Sequence, residues 1–176
     1  YINGCRLMYN IGEQMGVTAY NVFVWSPKSV SMPGTEANAM KNYYPGDMYV
    51  DWLGVSCYPP SLSATYPEER RYPLTLMQGI KQVSADKPIM ISEGGYSSTC
   101  DHQRWVREWF KLKDEEPRVK AVVWENHENA ENGDRRLQSD PLALELYKEL
   151  VQDPYWLDLI PDAVYSEIET RKNNSK

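Results

Sequence analysis

Four short apolar runs, starting about 30 to 38 residues apart, constrain this chain more than any other feature. They are Ala19-Tyr-Asn-Val-Phe-Val-Trp25, Tyr49-Val-Asp-Trp-Leu-Gly-Val-Ser56, Lys87-Pro-Ile-Met-Ile-Ser-Glu93 and Val119-Lys-Ala-Val-Val-Trp124. Each is rich in β-branched or aromatic residues, and helical patterns lie among them. Strand–crossover–strand units of this size require parallel strands joined by right-handed crossovers. In the third run, Ile89-Met90-Ile91 does not alternate, which predicts a strand buried on both faces. Glu93 then stands at the strand's carboxyl end, where parallel α/β folds bind ligands and carry catalytic groups. Gly94 and Gly95 follow it and permit close approach of backbone or ligand.

The intervening patterns fill in the units. A helix is expected over residues 1–15, with Leu7, Met8, Ile11 and Met15 on one face and Gly16 at its end. The long connection 27–47 holds a short helical pattern near 36–42. A polar loop over 61–72 leads to a helix at about 73–85. Trp105, Val106, Trp109 and Phe110 form an apolar stripe on a helix over 101–113. Asp140 is placed to cap a helix over 141–151, beyond a polar loop at 125–138. An amphipathic segment near 162–170 and a charged end complete the chain. The order predicts an α/β fold: half of an eight-stranded (β/α)8 TIM barrel, or a small doubly wound sheet. Neither type of glycine-rich phosphate loop is present, which weighs against the nucleotide-binding doubly wound folds.

Charge and composition narrow the function classes. A net charge of −6 argues against nucleic-acid and anionic-membrane surfaces as partners. The longest apolar runs are too short for a membrane-spanning helix. Cys5, Cys57 and Cys100 lack metal-ligand spacing, and an odd count favours free thiols. With His102 and His127 the only histidines, a histidine metal site is not expected, nor is a cofactor. Thirteen Tyr and six Trp against two Phe suit a wet, partly buried site, since both carry an apolar face and a polar tip. No signal peptide is read here. The chain begins at Tyr1, so a segment preceding it is expected.

The strand ends carry the candidate site: Trp25, then Ser56 and Tyr58, then Glu93 with Tyr96 beyond it, then Trp124 with Asn126. A barrel places all of them on one rim. Indoles there offer flat faces to sugar rings, and Tyr58 is suited to donate a hydrogen bond to the Glu93 carboxylate. Asp51 and Glu125 read as structural or rim groups, and Glu128 and Glu131 as solvated loop charges.

Asn21-Val-Phe-Val-Trp-Ser-Pro27, Tyr43-Tyr-Pro-Gly-Asp-Met-Tyr-Val-Asp-Trp-Leu-Gly54, Lys87-Pro-Ile-Met-Ile-Ser-Glu-Gly-Gly95 and Val119-Lys-Ala-Val-Val-Trp-Glu-Asn126 resemble family 26 glycoside hydrolases. Asp153-Pro-Tyr-Trp-Leu157 resembles the end of such domains. Most members of that family are endo-β-1,4-mannanases of the retaining, two-glutamate (β/α)8 clan. The resemblance covers nearly the whole chain but only strands five to eight of the family's barrel. It implies residues 1–152 as the C-terminal half of a catalytic domain and 153–176 as a tail packed on it. It also implies Glu93 as nucleophile, Tyr58 as the tyrosine bonded to it, and Trp124 as a sugar-stacking residue. Trp25, Tyr96 and Asn126 join the substrate-binding set. Ser56 departs from the family's usual aspartate. The acid/base glutamate is expected upstream of Tyr1, with the N-terminal half of the barrel, in the same or another chain. The function implied is retaining hydrolysis of a β-linked polysaccharide, mannan first, by a secreted protein. The alternatives are a barrel relative that grips glycans without cleaving them, a fragment inactive without its acid/base half, and a small doubly wound domain.

Overall fold

The computed structural model describes residues 1–59, 73, 77–97, 100–129 and 133–156. The loop at 61–72, residues 74–76 of the helix expected at 73–85, Glu131 and the amphipathic segment near 162–170 lie outside them. Helix α1 spans Ile2–Gln14, and Gly16 ends it with φ of +69°, a left-handed conformation that glycine adopts at no steric cost. Strand β1 is only Val24–Trp25, followed by β2 at Trp52–Cys57, a helical turn α2 at Gln78–Lys81, and β3 at Ile89–Gly94. Helix α3 spans His102–Glu115, β4 Val119–Trp124, and α4 Pro141–Leu150. Between β4 and α4 lies a small hairpin of β5 (Glu128–Asn129) and β6 (Gly133–Asp134).

The four long-range strands form one parallel sheet in the order β1-β2-β3-β4. Sequential parallel strands side by side, with helices between, are the arrangement of a barrel segment. The doubly wound alternative reverses strand order at a switch point, and this sheet does not.

Two expectations change. The first strand is much shorter than residues 19–25, and Thr18–Tyr20 forms a 3-10 turn instead. The Asp51 carboxylate takes the Phe23 N–H at 2.8 Å, while the Phe23 carbonyl accepts from Asp51 and Trp52, so a side chain does part of a strand's pairing there. In β3, Ile89 and Ile91 are fully buried but Met90 is only half-buried. The strand is covered by helices on one face and open on the other.

The core lies between the sheet and α3–α4. Trp105, Val106, Trp109, Phe110 and Leu112 of α3 are buried against Ala143 and Leu146 of α4 and the β2–β4 apolar residues. Asp101 accepts from Arg104 N–H at 2.9 Å, and Asp140 accepts from Leu142 and Ala143 N–H, so both helices start on a capping carboxylate. Cys57 is fully buried, and that burial pushes its thiol pKa up and keeps it inert.

Candidate active site

Glu93 owes its position to an irregular strand. Val55 pairs with Ile91, but Ser56 pairs with Glu93, so Ser92 has no counterpart on β2. On the other side Ile91 pairs with Val122 and Gly94 with Trp124, and β3 again carries one residue too many. A bulge of this kind re-aims the side chains beyond it. In regular alternation Glu93 would share the buried face of Ile89 and Ile91. Instead its side chain is exposed at the carboxyl end of the sheet.

Two close approaches lock the bulge. Ser92 Oγ lies 2.5 Å from Ser26 Oγ at the end of β1, a bond that passes over β2. Gly54 makes room for it, since a Cβ there would stand 2.7 Å from the Ser26 Cβ. Behind Glu93, a Cβ on Gly94 would stand 2.5 Å from the Cys57 carbonyl oxygen and collide with the Trp109 ring. That glycine therefore lets the strand end beside Glu93 lie against the Trp109 ring.

Tyr58 Oη donates to Glu93 Oε1 at 2.7 Å, and Ser56 Oγ makes a longer contact of 3.5 Å with Oε2. Burial pushes the Tyr58 phenol well above its usual range, and the Glu125 and Glu93 carboxylates beside its hydroxyl push it further. The phenol is thus a donor that keeps its hydrogen, and it orients the Glu93 carboxyl group. The contact with Glu125 brings a second carboxylate to the site, a residue that reads from sequence as a structural or rim group. Burial works against the ionised form of Glu125. Tyr58, Arg135 and His127 outweigh it and hold the carboxyl below its usual range. An acid held ionised cannot protonate a leaving group, so Glu125 is unsuited to general acid work.

Arg135 also went unnoticed in the sequence, where it is one of two arginines in a polar loop. Its guanidinium pairs with Glu125 Oε2 and lies over the Tyr58 ring, 4.1 Å from the centroid. Only its burial and stacking distinguish it from Arg136, which pairs with Asp134 and Glu128 at the surface.

The remaining candidates are placed differently from one another. Trp124 is half-buried, with Tyr96, Trp109 and Tyr147 rings edge-on to it and its Nε1–H donating to the Arg135 carbonyl at 3.1 Å. Tyr96 is fully buried, stacked on His102 at 3.9 Å and bonded to the Arg136 carbonyl, so it has no face to offer a ligand. Trp25 is 5% exposed and packs edge-on to Tyr44, which makes it a core residue at the open edge rather than a sugar platform. Asn126 is exposed, and its Oδ1 accepts from the Leu137 N–H at 2.7 Å to shape the loop. Among the described residues, no group of three or more His, Cys, Asp or Glu could hold a metal ion. Likewise no described helix is long and apolar enough to cross a membrane.

No family model and no curated protein matches the chain. Solved structures match it in fold. An endo-β-1,4-mannanase from Cellulomonas fimi, a double mutant, superposes with a TM-score of 0.58 at 18% identity, over 89% of this chain and 36% of that one. A GH26 β-mannanase from Bacteroides ovatus gives 0.57 at 19% identity, over 89% and 44%. The catalytic domain of a GH26 endo-β-1,4-mannanase from Bacillus sp. JAMB-750 gives 0.57 at 18%, over 89% and 45%. This chain therefore spans less than half the length of the structures it matches. Its fold is that of half a (β/α)8 barrel, as the sequence motifs implied.

Proposed function

We propose that this chain supplies the C-terminal half of a retaining glycoside hydrolase that cleaves a β-linked polysaccharide, with β-1,4-mannan as first substrate. Residues 1–152 form the half-barrel and 153–176 its tail. The observation that carries the proposal is the Tyr58–Glu93 hydrogen bond of 2.7 Å, made by an exposed carboxylate at the end of a parallel strand. That the three solved structures of similar fold named above are β-mannanases supports the choice of mannan.

In this mechanism a Glu93 oxygen attacks the anomeric carbon while the glycosidic oxygen leaves with a proton from a second carboxyl group. A covalent glycosyl ester results. Water, deprotonated by that same second group, then attacks the anomeric carbon and frees Glu93, so configuration is retained. The two carboxyl groups of such a pair stand about 5–5.5 Å apart. Glu125, held below the usual carboxylate range, suits proton donation poorly, and the donor is assigned to the N-terminal half of the barrel, in this chain's own longer protein or in another chain. Action on a polysaccharide implies export.

In the protein with its barrel complete, Glu93→Gln is expected to lower kcat on β-1,4-mannan by 10³-fold or more, on the order seen when a covalent nucleophile is removed. Turnover above a few per cent of the parent removes Glu93 from the chemistry. If the parent binds mannan without cleaving it, the protein is a glycan-gripping relative.

A further inference from the structure

We propose that Glu125 and Arg135 are positioning residues for Tyr58, and that Arg135, by neutralising Glu125, directs the single Tyr58 hydroxyl hydrogen to Glu93. This rests on the reading of Glu93 as nucleophile. A phenol has one hydrogen to give. Tyr58 Oη gives it to Glu93 Oε1 at 2.7 Å, yet Glu125 is a second carboxylate in reach of the same hydroxyl.

Both carboxylates are fixed to one piece of backbone, because the Glu125 N–H donates to the Gly94 carbonyl at 2.7 Å, one residue past Glu93. The competition between them is therefore decided by their partners rather than by distance alone. Glu125 accepts Arg135 on Oε2, with His127 Nδ1 3.2 Å from Oε1. Among the described residues, Glu93 has Tyr58 and the long Ser56 contact. A carboxylate already spent on a charged donor is the poorer acceptor for a neutral phenol.

Arg135 is built to serve both ends of this arrangement. It is 8% exposed, and its backbone N–H donates to the His127 carbonyl at 3.2 Å while its carbonyl accepts from Trp124 Nε1. The same guanidinium pairs with Glu125 and covers the Tyr58 ring. Its Nε is buried without a hydrogen-bond partner, so stacking and the Glu125 pair are what hold the group there. The groups around Glu93 are then Ser56 and Tyr58 from the end of β2, Glu125 from the end of β4, and His127 and Arg135 from the loop beyond. On the β1 side stand Ser26, reached through Ser92, and Lys28, whose backbone bridges to Ser56.

The test is the acid limb of the kcat/KM–pH profile of the barrel-complete protein. Arg135→Met frees Glu125 to take the Tyr58 hydrogen, and the limb is expected to move up by about half a pH unit or more. Glu125→Gln removes the competitor and a negative charge, and the limb is expected to move down. Arg135→Lys, which keeps the charge, is expected to restore most of the first shift. Charge alone would also give opposite signs, so both variants are repeated in a Tyr58→Phe background. There the shifts are expected to fall below about a third of their former size. Undiminished shifts in that background overturn the role of Tyr58, and shifts of one sign for both variants overturn the competition. A second readout needs no turnover. With [13Cζ]-tyrosine, the Tyr58 resonance, assigned by its loss in Tyr58→Phe, is expected to report protonation of its acceptor carboxylate in the acid range, at lower pH in Glu125→Gln than in the parent. An unmoved titration overturns the Tyr58–Glu125 contact even if Glu93 proves to be no nucleophile, and a moved one in an inactive protein leaves this inference standing while the hydrolase reading falls.

Discussion

The two ends of the sheet are made of similar residues and meet different fates. At the β3–β4 end, α3 and α4 close over the strands, and Trp105, Trp109 and Leu112 are 0–1% exposed. At the β1 end, α1 is equally amphipathic in sequence, but Leu7 is 60% exposed and Met8 and Met15 are each 70% exposed. Only Gly12 of that helix is buried, against the Phe23 ring. Val22 and Val24, before and in the edge strand, are likewise open. A helix face and an edge strand with this many open apolar side chains suit a contact site. The closed end positions Glu93 and its partners, and the open end is a face that suits the rest of a barrel.

The sharpest way to break this contrast is to cut into both ends. Trp109→Ala is expected to cost about 3–5 kcal/mol in chemical denaturation, because it empties the space behind Gly94. Leu7→Ala and Met8→Ala in the isolated chain are expected to stay within about 0.5 kcal/mol. In the barrel-complete protein the same two changes are expected to cost about 2 kcal/mol each. Equal, small effects in both settings would mean that α1 has no partner.

A smaller cut tests how the closed end holds the carboxylate. Gly94→Ala forces a methyl against Trp109 and the Cys57 carbonyl, with an expected loss of about 1–3 kcal/mol. Because Glu93 is adjacent, kcat on mannan is expected to fall by more than stability alone explains, measured where the variant is fully folded.

The mildest effect lies at the base of the sheet. Arg118 and Lys81 hold the buried Glu116 carboxyl below its usual range against the cost of burial. A group whose folded pKa is depressed contributes stability above its unfolded pKa and loses it as pH falls through the folded one. The melting temperature of the parent is therefore expected to exceed that of Glu116→Gln near neutral pH, by on the order of 2–4 °C per kcal/mol for a chain of this size. The gap is expected to close below the ordinary carboxylate range. A gap independent of pH would assign the loss to packing.

The same two ends divide what could be read from the residues. The Asp140 cap, the α3 stripe and the β4 run are local patterns, and the structure holds them where the patterns put them. The α1 face was equally plain, but a pattern says which residues want cover and not whether cover is present. The Tyr58–Glu93 bond was legible because both residues end strands that pair side by side. The bulge at Ser92 was not, since it depends on register with two neighbours at once. Tyr96 and Trp25 look like rim aromatics in sequence, yet the turn after β3 folds Tyr96 into the core, and Trp25, within β1, is buried against Tyr44. Arg135 lies in a loop with no periodicity, and only the chain's return over β4 brings it onto Tyr58.

The most direct measurement uses a 2-deoxy-2-fluoro-β-mannosyl fluoride, whose leaving group departs without a proton and whose fluorine slows the second step. Incubated with the barrel-complete protein and digested for mass spectrometry, it is expected to leave its sugar on the peptide containing Glu93, and on none in Glu93→Gln. Active protein that carries the label on another residue contradicts the account.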